Sequence, residues 1–266
     1  GIIDHAFRPS FSYRLSLKDS WAGPAFLRFA KKEHKATRVG VLLPNTAWGR
    51  SNQAALDKAA PDAGVAIMAH RWYNWGAPSL LDQYGELRAT GALAIIFVGN
   101  EVEGALLARE IASLPAAQRL PVVSHWGVTG GDFAKLAGAS LHQIDFAVIQ
   151  TYSFVGDDSP TARRVLAALR RDFGIDGAEQ VKSPVGVAHA YDLTHLLAKA
   201  VNRAGSTDRR RVREALEQLG PHEGLVRRYA RPFSPERHEA LTADQVFFAR
   251  YLADDRLVPI TARARP

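Results

Sequence analysis

The chain has 266 residues, 47% hydrophobic and 23% charged, which is enough for a large hydrophobic core and excludes wholesale disorder. It contains no cysteine, which excludes disulfide bonds, thiolate zinc sites and cysteine nucleophiles. The net charge of +7 comes mainly from arginines that alternate with Leu and Val at helical spacing, a pattern typical of solvated helix faces. Because no zinc finger, helix-turn-helix or aromatic RNA-binding signature accompanies them, we expect no nucleic-acid partner.

The first two thirds of the chain predict a parallel sheet. Residues 11–17 predict a strand and residues 19–32 a helix, which Asp19 or Ser20 is expected to cap. Beyond them, short runs that are apolar on both faces alternate with amphipathic helical stretches, as a sheet covered on both sides requires. The predicted strands are residues 39–43, 65–68, 93–98, 121–123 and 145–149, and the predicted helices are residues 49–63, 79–90, 102–114 and 131–136. The predicted fold class is therefore α/β, with a doubly wound parallel sheet.

The last third of the chain predicts helices with almost no strands. Apolar stripes at helical spacing predict helices at residues 161–173, 185–204 and 208–219. The only later strand predicted is residues 246–252, and residues 221–242 have the composition of a linker. Three amphipathic helices need a sheet to cover, so we infer a second, incomplete lobe whose strands lie outside this sequence.

The sequence predicts no membrane-spanning helix. Its longest apolar run, residues 93–98, is far shorter than the roughly 20 residues that a membrane span needs, so we expect no stable insertion into a membrane. Residues 1–20 carry charges and aromatic side chains where a signal peptide has a continuous apolar segment. We therefore expect no signal peptide within this sequence.

Sequence motifs of catalysis and metal binding are missing. The chain has no Walker A loop, nucleophile elbow, zincin motif or EF-hand loop. The glycine-rich run at residues 127–131 lacks the lysine of a P-loop and the dinucleotide spacing, and predicts a plain strand-to-helix turn. Histidines are scattered without the spacing of metal ligands. We predict no catalytic residue, no cofactor and no metal, which leaves an α/β enzyme as a weak alternative.

Four segments, in the same order, resemble the type I periplasmic solute-binding proteins of ABC transporters, within the branched-chain amino acid (Leu/Ile/Val) binding family. FSYRLSLKDS resembles the family's crossover strand and helix start, and TAWGRSN resembles its "taYGrs" segment. GALAIIFVGN resembles "gaDaVflagn", and the AYD motif with the later AVNRAGSTD resembles the family's most specific pattern. These segments are residues 11–20, 46–52, 91–100 and 190–208.

The resemblance implies a periplasmic binding protein-like type I fold without its first half-lobe. The implied domains are a crossover segment (1–17), a second lobe with the α/β sheet (18–151), helices of the first lobe (152–220), and a hinge loop with a return strand (221–266). It also implies a periplasmic protein, not an enzyme, that captures a small molecule between two lobes by hinge closure and delivers it to a membrane ABC permease. A ligand-sensing domain of a receptor or regulator with the same fold remains an alternative.

Candidate ligand-binding residues lie where strands of the predicted sheet end, because ligands bind at the carboxyl edge of open α/β sheets. They are Thr46, Trp48, Asn100, His125, Trp126 and Tyr152. Tryptophans stack aromatic rings or enclose quaternary ammonium groups, and a histidine donates a hydrogen bond to a carboxylate.

Other roles stay open for some of these residues. Packing competes with ligand contact for the tryptophans, Trp72 and Trp75 included; helix capping competes for Asn100, and hinge packing for Tyr152. The resemblance places an ammonium-binding glutamate of amino-acid-specific members near residues 124–127, where this chain has SHWG. We therefore expect a ligand other than a plain α-amino acid, such as an aromatic carboxylate or another small acid or amide.

Overall fold

The computed structural model describes residues 10–260, which belong to two compact units. The first, called unit 1, consists of Gly1–Leu17 and Thr151–Gln245, and the second, called unit 2, consists of Lys18–Gln150 and Val246–Pro266.

Unit 2 is built on one seven-stranded sheet. Its strands are β1 (Arg38–Pro44), β2 (Ala66–Tyr73), β3 (Ala94–Phe97), β4 (Val122–Ser124), β5 (Phe146–Gln150), β8 (Phe247–Tyr251) and β9 (Leu257–Pro259). They lie in the order β2-β1-β3-β4-β5-β8-β9. Neighbouring strands from β2 to β5 run parallel, whereas β8 and β9 are antiparallel to their neighbours.

Five helices of unit 2 cover this sheet: α1 (Asp19–His34), α2 (Ala47–Ala63), α3 (Leu81–Ala89), α4 (Glu101–Ser113) and α5 (Phe133–Ala137). Helices α1 and α2 pack against each other, while α3, α4 and α5 share one hydrophobic core with β1, β3, β4 and β5. Leu42 of β1 belongs to that core, and its neighbours Val41 and Leu43 are equally buried on the opposite face. The predicted α/β class with a mostly parallel, doubly covered sheet is confirmed.

Unit 1 contains three long helices and one two-stranded sheet within residues 10–260. The helices are α6 (Pro160–Phe173), α7 (Pro184–Ala204) and α8 (Arg209–Glu217), and the antiparallel strands are β6 (His222–Glu223) and β7 (Arg228–Tyr229). Ser159 caps α6 and Asp208 caps α8 through their side-chain oxygens. Phe173 of α6 is 74% exposed and Leu197 of α7 is 49% exposed, so apolar side chains of these helices face solvent.

Several expectations about local structure were wrong. Among residues 11–17, Arg14 alone is paired within residues 10–260, in an isolated parallel bridge to Glu239 that the backbone hydrogen bonds of Arg14 with His238 and Ala240 form. Neither Asp19 nor Ser20 caps α1, whose N-cap residue is Lys18 without a side-chain capping bond.

The carboxy-terminal segments also differ from the expectation. Strand β9 was missed, and it pairs with β8 after a turn in which Asp255 has a φ of 64°. Residues 221–242 are not a linker, because they contain β6, β7 and the buried side chains of Leu225 and Phe233. Within residues 10–260, no helix is long and apolar enough to cross a membrane.

Candidate functional site

The strand order of unit 2 brings most of the predicted site residues to one edge of the sheet. Strands β1 and β3 are hydrogen-bonded neighbours although β2 lies between them in sequence, so the chain reverses its winding direction here. Such a reversal opens a crevice at the carboxyl ends of the strands, the usual ligand site of open α/β sheets. Thr46 follows β1, Asn100 follows β3 and His125 follows β4 at this edge.

Trp48 is held at the start of α2 by two hydrogen bonds of its own helix. Thr46 is the N-cap residue, and its hydroxyl accepts from the backbone N–H of Gly49 at 3.2 Å. The buried Asn52 amide donates to the carbonyl of Trp48 at 3.1 Å. These bonds fix the backbone that carries the indole.

The ring of Trp48 forms part of an aromatic cluster. It stacks on Trp75, with ring centroids 6.4 Å apart and planes 22° apart, and it meets His125 edge-on at 4.9 Å. Trp75 in turn meets the buried Tyr73 ring edge-on at 5.8 Å. Trp75 is 42% exposed and Trp48 is half-buried, so the stacked pair presents aromatic surface to solvent.

A close approach at Gly127 brings three chain segments together beside this cluster. A Cβ atom at Gly127 would lie 2.6 Å from the Gly99 carbonyl oxygen, 3.0 Å from Cη2 of Trp48 and 3.1 Å from Oδ1 of Asn100. Any side chain at this position would therefore separate the turn after β4 from the ends of β1 and β3.

His125 is buried and uncharged at neutral pH. Its removal from water lowers its pKa to about 3, because burial disfavours the imidazolium form. Its Nδ1 accepts from the backbone N–H of Gly127 at 3.3 Å, so the neutral ring carries its proton on Nε2. That Nε2 faces Oδ1 of Asp19 at 3.9 Å, which is longer than a hydrogen bond.

Comparison with known proteins decides the family of this chain. A family model described as "Periplasmic binding protein" matches residues 5–254. The chain belongs to this periplasmic binding protein family. The suspected membership is confirmed, and the family is one of solute-binding proteins rather than of enzymes.

Individual relatives are distant and longer. The leucine-, isoleucine-, valine-, threonine- and alanine-binding protein of Pseudomonas aeruginosa is 22% identical over 74% of this chain and 50% of its own length. A type 1 periplasmic binding protein of Bordetella pertussis has a TM-score of 0.82 at 24% identity, covering 93% of this chain and 67% of that one. A solute-binding protein of R. palustris, solved in complex with benzoate, has a TM-score of 0.74 at 11% identity, covering 93% of this chain and 64% of that one. The chain therefore spans about half the length of the curated relatives it matches.

The structure of this family member brings five of the six predicted site residues into unit 2. Trp48, Asn100 and His125 lie beside Gly127, Trp126 adjoins His125 with ring centroids 6.0 Å apart, and Thr46 acts through the helix cap. Asn100 occupies the N-cap position of α4 without a side-chain capping bond.

Tyr152, the sixth predicted residue, belongs to unit 1. Its hydroxyl donates to Asp157 at 2.7 Å, and its ring meets Phe154 edge-on at 4.9 Å. These contacts account for its burial within unit 1.

Two residues of this edge were not among the predicted site residues. For Trp75 the sequence left packing under a loop and ligand contact open, and the structure makes it the more exposed partner of the stacked tryptophan pair. Asp19 was treated as a helix cap, yet its carboxylate faces His125. The only feature of the sequence that could have indicated Asp19 as a site residue is its place in the segment that resembles the family's crossover region.

Acidification is expected to destabilise the fold through its buried histidines. An unfolded histidine titrates near pH 6.5, whereas burial lowers the pKa of His125 to about 3 and that of His189 to about 4. Between these pH values the unfolded chain binds protons that the folded chain does not. The free energy of unfolding should therefore fall with falling pH, by about 1.4 kcal/mol per pH unit for each histidine.

Urea unfolding of the protein and of His125→Gln at pH 7, 5.5 and 4.5 measures this dependence. Between pH 7 and 4.5, the free energy of unfolding should fall less in His125→Gln than in the unchanged protein. An equal fall in both proteins would contradict the burial of His125 in its neutral form.

Proposed function

We propose that this protein is an extracytoplasmic solute-binding protein that captures a small organic ligand with an aromatic ring and delivers it to an ABC permease. Membership of the periplasmic binding protein family supports capture of a small molecule and an extracytoplasmic location. The permease, the aromatic ring of the ligand and the hinge closure over the ligand are parts of the proposal.

The stacked pair of Trp48 and Trp75 carries the proposal for an aromatic ligand. A half-buried indole beside a 42% exposed one offers a flat surface on which a planar ring stacks, and aromatic pairs add about 0.5–1.5 kcal/mol beyond the area they bury. The benzoate complex of the R. palustris protein supports a ring-bearing ligand on this fold.

The residues after β4 support a ligand other than a plain α-amino acid. Residues 124–127 carry no acidic side chain, and the imidazole of His125 is neutral and buried. Aromatic carboxylates, other small acids and amides therefore remain the proposed classes. Binding would shift the population toward a closed form that a permease recognises, without a chemical step.

Removal of the exposed indole is expected to weaken ligand binding. Trp75→Ala should raise the dissociation constant of a ring-bearing ligand about tenfold, whereas Trp75→Phe should retain most of the affinity because it keeps a stacking ring. The measurement is isothermal titration of the purified protein with compounds found by a thermal-shift screen of aromatic acids and amides.

Phe173→Ala is the control, because it removes an aromatic side chain of unit 1 that is even more exposed, 74% against 42% for Trp75. It should leave binding unchanged. Equal affinities in the protein and in Trp75→Ala would contradict the role of the tryptophan pair. A ligand-sensing domain with the same binding chemistry would give the same result in this test. Binding of the liganded protein to vesicles that contain the permease distinguishes a transport role from a sensing role.

A further inference from the structure

Asp19 places a negative charge beside the aromatic cluster. It is the first residue of α1, its side chain is 22% exposed, and Oδ1 lies 3.9 Å from Nε2 of His125. The His125 ring meets Trp48 edge-on at 4.9 Å, so the carboxylate is one ring away from the proposed stacking surface.

The Asp19 carboxylate is not neutralised within residues 10–260. It forms no ion pair with a lysine or arginine of these residues. The basic side chain of these residues that lies within ion-pair distance of it is that of His125. Because burial keeps that imidazole neutral, it adds no positive charge. The carboxylate is not the helix cap, since the N-cap residue of α1 is Lys18; as the acidic residue of the first turn, it faces the positive end of the helix dipole. The Nζ of Lys18 lies 5.7 Å from the centroid of the Trp21 ring.

The hydrogen-bonding groups of Asp19 and His125 are complementary but do not meet. Nδ1 of His125 is occupied by the N–H of Gly127, which leaves the Nε2 proton facing the Asp19 oxygen across a gap too wide for a direct bond. A group that donates to a carboxylate and accepts from an imidazole N–H would satisfy both. A carboxamide does this with its N–H and C=O, whereas a carboxylate has no proton to donate.

We propose that Asp19 and His125 form a specificity subsite that selects a carboxamide end of the aromatic ligand and rejects a carboxylate there. This inference rests on the proposed function and narrows its ligand classes. Two like charges at hydrogen-bond distance repel, and a half-buried carboxylate is poorly screened, so Asp19 opposes an acid at this point.

Benzamide and benzoate are the probes, because they share one ring and differ at the group that would face Asp19. Titrated into the purified protein at pH 7.5, benzamide should bind about tenfold more tightly than benzoate. Asp19→Asn removes the charge at constant shape, and it should bring the ratio of the two affinities close to one. A structural role of Asp19 would change both affinities together and leave that ratio unmoved.

Asp57→Asn is the matched control, since Asp57 forms another aspartate–histidine pair of unit 2, with its Oδ1 3.0 Å from Nε2 of His70. It should preserve the tenfold ratio. The subsite is overturned if benzoate binds as tightly as benzamide, or if the ratio of the two affinities is the same in Asp19→Asn. Either result would still agree with an aromatic ligand. Failure of both probes to bind, with titration monitored by tryptophan fluorescence, would instead overturn the proposed ligand together with the subsite.

Discussion

Replacement of Gly49 by alanine is expected to lower the free energy of unfolding by about 3 kcal/mol. A Cβ atom at this position would lie 2.0 Å from the carbonyl oxygen of Pro44, the last residue of β1, and 3.0 Å from Cζ3 of Trp72. Backbone and a packed ring cannot move aside as a flexible side chain can, so α2 would have to shift away from the end of the strand. Urea unfolding followed by circular dichroism measures the loss.

Gly85→Ala is the matched control for this prediction. Gly85 lies inside α3, where a Cβ atom would meet nothing within 4 Å. The same chemical change should raise the free energy of unfolding there by about 0.5–1 kcal/mol, because alanine is the better helix former. Similar stabilities for Gly49→Ala and the unchanged protein would show that the turn from β1 into α2 tolerates the displacement.

The same substitution should also disturb the proposed ligand site. Trp48 is the residue before Gly49, and the Thr46 hydroxyl that caps α2 accepts from the Gly49 N–H. A shift of the first turn of α2 would therefore move the indole away from Trp75. Ligand affinity should therefore fall even when only the folded fraction of Gly49→Ala is counted. Such a loss would report a displaced ligand site at the sheet edge and not the lower stability of the variant.

The fold of unit 2 could be predicted from the sequence because its strands are apolar on both faces and its helices are amphipathic. Both signals are local, so the predicted bounds of β1 and α4 lie within one residue of those observed. Strands β6, β7 and β9 have only two or three residues each, too few for a periodicity, and they exist because of their partners. Residues 11–17 show the converse, since their strand-like pattern produces a single bridge, at Arg14, and no strand.

The candidate site was predictable only in part, for a related reason. Strand ends follow from the strand pattern, so Trp48, Asn100 and His125 could be assigned to one edge in advance. The contact between Asp19 and His125 joins α1 to the end of β4, and it depends on how the helix packs on the sheet. The stacking of Trp75 on Trp48 likewise depends on the path of the chain after β2.

Asp192→Ala is expected to lower the free energy of unfolding of unit 1 by about 4 kcal/mol. The carboxylate is fully buried in α7, and it accepts hydrogen bonds from the backbone N–H groups of Leu225 and Val226 at 2.5 and 3.0 Å. The hydroxyl of Tyr229 donates to it at 2.6 Å. Alanine would leave three donors without an acceptor, two of them, on Leu225 and Tyr229, from buried residues, and each unsatisfied buried group costs about 1–3 kcal/mol.

Two of the donors, Leu225 and Val226, lie between β6 and β7, and the third, Tyr229, belongs to β7, so this one carboxylate holds the hairpin against α7. Asp192→Asn keeps one acceptor oxygen, and it should therefore lose about half as much stability. Asp176→Ala is the control, because the exposed Asp176–Arg170 ion pair should contribute less than about 1 kcal/mol. Hydrogen exchange would locate the effect: the amides of Leu225 and Val226 should lose protection in Asp192→Ala before the helices do. Retention of that protection would mean that packing of Leu225 and Tyr229, rather than the carboxylate, fixes the hairpin.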